Sequence, residues 1–344
     1  MPPSGEPKVN VYFIDEIPVS VQNYLKEKLK DLRNLELIFS KNQDKDSNLE
    51  DIANANILIG WRPSLALLEK ATKMSLFINP GAGIRHLLNI FNEINKKKSV
   101  TLINGHGNSY FVAQHAVALL LTLTNKIIQH HEWMRQGKWR TGDEEAASIP
   151  LRFRKVGLFG YGAINQKVHQ MLQGFGCDFS ILRKHWEKQT NDLITPAKRY
   201  EFAELHKFLK EINILIIATP STSLTERIIK QKELDLLGND GLIVNVARGE
   251  IIDEQSLYLS LKDRKIAGAA IDVWYNYSPK SNEDGTSYPF KFPFHMLENI
   301  VLSPHRGYSP FNDFIRWNEV IENITRFSHN RSDFINVVNL EDEY

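Results

Sequence analysis

Short apolar runs alternate with longer amphipathic stretches over the first hundred residues. VNVYFI, ANILIG and SLFINP read as strands, while VQNYLKEKLKDL and SLALLEKA carry apolar residues at helical spacing. That alternation is the rhythm of a parallel sheet with crossover helices. From Phe111, VAQHAVALLLTLTNKIIQHHEWMRQG is apolar around most of its circumference, which predicts one long helix stopped by Gly137 and buried on nearly all sides. A second series begins at Val156 and runs VGLFGYG, FSIL, ILIIATP, LIVNVARG, AGAAIDVW and IVLSPH, six strands that suffice for a doubly wound sheet. The last apolar helix, SPFNDFIRWNEVIENITRF, has no strand of its own to complete, so it is expected to pack back on the first series. The chain therefore reads as α/β, with two parallel-sheet domains. One is discontinuous, residues 1–103 with 306–344, and the other, 104–305, is inserted into it.

Composition changes this picture little. A chain of 344 residues exceeds what one core supports, in keeping with two domains. Its 42 Lys and Arg nearly balance 41 Asp and Glu, so no overall field points to nucleic acid or an anionic membrane, and any anion must be held locally. The cluster Lys96 to Lys98 reads as a solvated loop face. A single cysteine, Cys177, forms no internal disulfide and fits a reducing compartment. MPPSGEPKVNVYFIDE reads as a polar lead into a strand and not as a signal peptide, and no apolar stretch reaches the ~18 residues of a membrane span. A cytoplasmic protein is the expectation. The adjacent His130 and His131 diverge on a helix, and no zinc-type spacing occurs, so no metal site is predicted.

Candidate chemistry begins at KVGLFGYGAINQKV, where Gly160 and Gly162 lie between a strand and a helix starting near Ala163. The first glycine permits a tight turn and the second lets backbone N–H groups approach a pyrophosphate at a helix N-terminus. The third glycine of that pattern is Asn165, whose side chain is expected to push helix and strand slightly apart. The next strand ends at Arg183 and Lys184, 21 residues beyond Gly162, where an acidic residue normally grips the ribose hydroxyls of NAD. A cation there suits the 2′-phosphate of NADP, so NADP is expected in preference to NAD; the alternative is a pair of solvated cations and relaxed cofactor choice.

LIVNVARGEIIDEQSL puts Arg248 at the carboxyl end of one strand, and NIVLSPHRG does the same for His305. Hydride delivery to a carbonyl carbon needs a proton for the oxygen and a cation to hold and polarise a 2-oxo carboxylate, tasks suited to His and Arg. The order of these segments resembles the D-isomer-specific 2-hydroxyacid dehydrogenases, the superfamily of glyoxylate/hydroxypyruvate reductase, phosphoglycerate dehydrogenase and formate dehydrogenase. The resemblance covers nearly the whole chain. It rests on NPGAG, NGHGNSYFVAQHAVALLL, the GYG loop, ATPSTSLTERII, VARGEIID, GAAIDVW and LSPH.

The resemblance implies a Rossmann-like cofactor domain, with the dimerisation helix, inserted into a flavodoxin-like substrate domain. It implies reduction of a small 2-oxo acid to a D-2-hydroxy acid by a homodimer. Backbone N–H groups around Ala82 and Gly83 would bind the substrate carboxylate, with Asn104 beside them. Arg248 would clamp the carboxylate and carbonyl, and His305 would protonate the carbonyl oxygen. Ala163, Ile164, Thr219, Pro220 and Ala247 would line the cofactor cleft, and Asp272 would face the nicotinamide amide. One departure matters: the glutamate that partners the histidine, five positions past the aspartate, is here Tyr277. Tyr277 is then the candidate to orient His305 through its hydroxyl, leaving the imidazole near its ordinary value of ~6.5. Glu283 or Asp284, in an extended loop, could instead fold inward. Trp274 and the aromatics from Tyr275 to Phe294 read as loop packing or, alternatively, as a hydrophobic lid over a bulky 2-oxo acid. The departure also keeps open a cofactor-binding regulatory protein with weak or no activity, and a formate-dehydrogenase-like enzyme.

Overall fold

A computed structural model describes residues 7–40, 49–140, 142–188, 192–308 and 313–344. The chain divides into two compact units, Met1–Asn108 with Pro310–Tyr344, and Ser109–Ser309. The first crossing falls a few residues beyond the strand end that marked it in sequence. Residues 105–107 still belong to the first unit because the Gly105 N–H donates to the Asn79 carbonyl at 2.9 Å and Gly107 lies against the Arg316 backbone.

The first unit holds five parallel strands: β1 (Val9–Phe13), β2 (Leu35–Phe39), β3 (Ile57–Ile59), β4 (Leu76–Asn79) and β5 (Thr101–Asn104). Their order, β2-β1-β3-β4-β5, is the flavodoxin-like one. LELIF and TLIN escaped the apolar-run reading because β2 and β5 are the two edges of the sheet, β2 half-exposed along its length and β5 bounded by the polar Thr101 and Asn104. The last helix, Asn318–Ser328, does return to this sheet. Val320 and Ile324, with Trp317 before them, join the core cluster of Val11, Phe13, Leu25 and Leu76.

The second unit holds seven parallel strands: β6 (Lys155–Phe159), β7 (Asp178–Arg183), β8 (Ala197–Glu201), β9 (Ile214–Ile217), β10 (Leu242–Asn245), β11 (Gly268–Ile271) and β12 (Ile300–Leu302). The order β12-β11-β10-β9-β6-β7-β8 reverses between β6 and β9, the switch point where doubly wound sheets bind ligands. β8 is the strand beyond the six expected. Its sequence, AKRYE, buries only Tyr200, as an edge strand allows.

The single long helix is corrected to two. One spans Ser109–Thr124 and a second spans Ile127–Arg135, bent by 60° where Lys126 takes a left-handed φ of 50°. Neither is buried all round. Tyr110, Ile127, Ile128 and Met134 are each more than half exposed in the single chain, so the apolar circumference reflects a face this chain does not cover by itself. Among the described residues no single helix is long and apolar enough to cross a membrane.

Candidate active site

In the glycine loop of the second unit, Gly160 has φ 79°, a left-handed conformation closed to most side chains, and a Cβ there would meet the Ala218 carbonyl and Thr219 within 3.0 Å. The turns after β6 and β9 thus touch through glycine alone. Gly162 is different: a Cβ on it would meet nothing within 4 Å, so the chain leaves open space before the helix Ala163–Leu172. That helix has no side-chain cap and no acidic residue in its first turn, and Tyr161, Gly162 and Ala163 offer backbone N–H groups with no acceptor among the described residues. Open space, free donors and a positive helix end together fit a dinucleotide's pyrophosphate. Thr219 is half-buried and Pro220 exposed just past β9, while Arg183 and Lys184 sit at the carboxyl end of β7, next to β6.

Asn165 does not wedge strand and helix apart. It is fully buried, and its Nδ2 donates to the carbonyls of Gly160 (2.7 Å), Phe159 (3.2 Å) and Ile216 (3.3 Å). The amide replaces the close packing of a third glycine with hydrogen bonds to the loop, β6 and β9.

Arg248 leaves β10 in extended conformation (φ −146°). Asn245, the last residue of β10, is 1 % exposed and holds this turn from both ends: its Oδ1 accepts from the Ala247 N–H at 3.0 Å and its Nδ2 donates to the Arg248 carbonyl at 2.9 Å. The guanidinium donates to the Ala247 carbonyl at 2.6 Å, so Ala247 supports Arg248 as well as lining the turn.

His305 follows β12 with a left-handed φ of 55°, a strained backbone for a non-glycine residue. What holds it there is Asp272, at the end of β11. This carboxylate is 2 % exposed and accepts from Ser303 Oγ (2.5 Å), the Arg306 N–H (2.7 Å) and the Gly307 N–H (3.0 Å), with His115 Nε2 at 3.3 Å. Burial alone would push the Asp272 carboxyl up, but the hydrogen bonds from His115, Ser303, Arg306 and Gly307 hold it below the ordinary carboxylate range. Asp272 is therefore built into the turn that carries His305, a supporting role beside the nicotinamide-facing one expected from sequence; its Oδ2 accepts only from the Gly307 N–H among the described residues.

Tyr277 meets His305 through its ring. The centroids are 5.2 Å apart at 61°, and the phenol oxygen lies 3.5 Å from the Trp274 N–H instead of on the imidazole. A second ring, Tyr308, packs edge-on at 5.4 Å. Orientation of His305 by the Tyr277 hydroxyl is thus replaced by aromatic packing. Glu283 and Asp284 are exposed, and Asp284 accepts from the Thr286 N–H and hydroxyl within its own loop, so neither folds inward. Burial pushes the His305 imidazole below 6.5, opposed by the Asp272 carboxylate and reinforced by the charges of Arg248 and Arg306. The expectation of a nearly unperturbed imidazole is corrected in that direction. Trp274 packs on Phe290 at 4.9 Å and Phe294 at 5.8 Å, so these aromatics are loop packing.

In the first unit the turn after β4 is held by two buried asparagines. Asn79 Nδ2 donates to the carbonyls of Gly81 (2.6 Å) and Gly83 (3.2 Å), and Asn104 Nδ2 to that of Ala82 (3.0 Å). A planar trans peptide points its N–H opposite its C=O. Three consecutive carbonyls turned inward therefore turn the N–H groups of Ala82, Gly83 and Ile84 outward, just before the helix Arg85–Asn95. Such a concavity suits a carboxylate.

Residues 117–307 match the family model described as D-isomer specific 2-hydroxyacid dehydrogenase, NAD binding domain. The chain belongs to the D-isomer-specific 2-hydroxyacid dehydrogenases. It is 28% identical over 270 residues to D-3-phosphoglycerate dehydrogenase of Methanocaldococcus jannaschii, covering 77% of this chain and 48% of that protein. It is 30% identical over 206 residues to glyoxylate reductase of Thermococcus gammatolerans, covering 58% of this chain and 57% of that one. The matches thus span about half the length of these relatives. The fold is shared with the D-isomer specific 2-hydroxyacid dehydrogenase from Xanthobacter autotrophicus Py2 in complex with NADPH and MES, at a TM-score of 0.79 and 19% identity, covering 99% of this chain and 100% of that one.

Within this dehydrogenase fold, Asn104 is a site candidate from sequence, whereas the roles of Asn79, Asn245 and Asn165 as supports emerge only from their hydrogen bonds. A signal was present. β4, β5 and β10 are apolar strands that each end in asparagine, and all three amides are buried. A polar residue closing an apolar strand at the ligand edge of a parallel sheet has to find partners nearby, and here the partners are the carbonyls of the functional turns.

Proposed function

We propose that this protein reduces a small 2-oxo acid to the D-2-hydroxy acid, with His305 delivering the proton to the carbonyl oxygen and Arg248 binding and polarising the substrate. The observation that carries the reading is that Arg248 and His305 stand beyond the carboxyl ends of β10 and β12, separated only by β11. A bound nicotinamide nucleotide supplies the hydride. The Tyr161 to Ala163 amides hold its pyrophosphate, and Ile164, Thr219 and Pro220 flank it. The outward N–H groups of Ala82 and Gly83 are donors for a carboxylate, with Asn104 fixing their turn. Protonated His305 is the form that drives reduction. Because burial lowers its pKa, kcat/KM for reduction should fall as pH rises through a value below 6.5, and the reverse oxidation should gain over the same interval.

The test is oxidation of NADPH and NADH with glyoxylate, hydroxypyruvate, pyruvate and phenylpyruvate. Turnover of any of them supports the reading. Cofactor binding by fluorescence with no turnover would overturn it in favour of a regulatory protein, a reading favoured by Tyr277 standing, ring against the imidazole, where the family's glutamate would be.

NADP is the proposed cofactor, supported by Arg183 and Lys184 at the end of β7 and by the NADPH bound to the Xanthobacter relative. Replacing Arg183 with Asp removes a charge-assisted bond worth ~1.5–3 kcal/mol, so the KM ratio of NADPH to NADH should rise roughly ten- to a hundredfold. An unchanged ratio would rule the preference out. The exposed face of Tyr110, Ile127, Ile128 and Met134 supports a homodimer, which sedimentation of the purified protein would reveal.

A further inference from the structure

The asparagine that departs from the glycine pattern costs the fold something. Asn165 is fully buried, and its Oδ1 has no hydrogen-bond partner among the described residues. An apolar side chain, or the glycine of the usual pattern, would avoid an unpaired acceptor. The reverse orientation of the amide would put Oδ1 against three carbonyl oxygens, so only the observed one is tenable. The three carbonyls it serves differ in need. Phe159 already accepts from the Ala218 N–H at 3.0 Å, and Ile216 belongs to the sheet, whereas Gly160 belongs to the loop itself.

The next residue continues the device. Gln166 Nε2 donates to the Tyr161 carbonyl at 3.3 Å. The Tyr161 side chain is anchored independently, its hydroxyl 2.9 Å from His169 Nδ1, while His169 Nε2 is 2.7 Å from Thr195 Oγ1. Burial holds the His169 imidazole down to about 4, so it stays neutral and this anchor persists at ordinary pH. Every carbonyl from Phe159 to Tyr161 is thereby turned into the protein. By peptide planarity the N–H groups of Tyr161 and Gly162, opposite the Gly160 and Tyr161 carbonyls, face the open side.

We propose that Asn165 and Gln166 are positioning residues for the cofactor diphosphate: they preset the glycine loop so that its amides converge on the anion before it arrives. This rests on the cofactor reading above and adds to it which side chains of this chain make the cradle rigid. Presetting removes the ordering cost of the loop on binding, which for one or two residues is worth roughly tenfold or more in affinity.

The experiment compares wild type, Asn165→Gly and Gln166→Leu. Tryptophan fluorescence gives the affinities for NADPH and NADH, and competition gives those for ADP-ribose, which contains the diphosphate, and adenosine, which does not. The expected result is a loss of about tenfold or more for NADPH, NADH and ADP-ribose in N165G and a smaller loss in Q166L, with adenosine unchanged within about twofold. Equal losses for ADP-ribose and adenosine, or no loss at all, would overturn the proposal and leave Asn165 as packing. Should N165G fail to fold, Q166L and backbone order parameters of wild-type residues 160–163 decide instead. Values of ~0.85 before cofactor addition support presetting, and values below about 0.6 that rise only on binding overturn it. A wild-type protein that binds neither nucleotide would remove the cofactor reading itself, a result distinct from any of these.

Discussion

Replacing His305 with glutamine should lower kcat/KM for 2-oxo acid reduction by roughly 10²–10⁴-fold, the usual contribution of a general acid. Glutamine keeps a hydrogen-bond donor near the carbonyl oxygen but has no proton to give. Affinity for NADPH should stay within about threefold, because the glycine loop lies beyond β6 and His305 beyond β12, at the far side of the same sheet. The decline of activity with rising pH should vanish with the imidazole, since burial and the charges of Arg248 and Arg306 place that decline below 6.5 in the native protein. Steady-state kinetics between pH 5 and 8 read both effects. Retention of wild-type rate, or a pH profile unchanged by the substitution, would exclude His305 as the proton donor.

Asp272→Ala should be the most damaging change to stability near the site. Removing the carboxylate strands the N–H groups of Arg306 and Gly307, along with Ser303 and His115, in a buried setting. Unpaired buried donors cost about 1–3 kcal/mol each, so a loss of roughly 3 kcal/mol or more is expected in urea unfolding. Activity should fall as well, on the order of a hundredfold, because the strained turn at His305 loses the bonds that hold it. The sign of the pH effect follows from the lowered carboxyl. The Asp272 contribution is complete above the ordinary 3.8 and is lost only as pH falls through the lower folded value, so D272A should be destabilised equally at pH 6 and pH 8. A variant with native stability and unimpaired turnover would show that the turn holds without Asp272.

Periodicity carried much of the architecture. Apolar runs with amphipathic spacers dictated parallel sheets, and the orphan final helix returned to the first sheet as a segment without a strand has to. The strands that escaped, β2, β5 and β8, all lie at sheet edges, where one side needs no apolar residue. The long helix misled for a related reason. Its apolar circumference is a property of its residues, but its break is set by one backbone dihedral at Lys126, and residues along its exposed face have no cover within this chain.

The site divides in the same way. Residue type and position along the chain determined the candidates: a glycine loop after a strand, an arginine and a histidine at the ends of two later strands, and cations where an acid would select NAD. Residue type could not determine what each candidate touches, because contacts are made between segments far apart in sequence. Asp272 supports a turn 33 residues onward, Tyr277 meets His305 with its ring, and Asn165, expected to push helix and strand apart, ties the glycine loop to both flanking strands. Hydrogen-bond direction and burial decide those roles, and both exist only once β6, β9, β11 and β12 lie side by side.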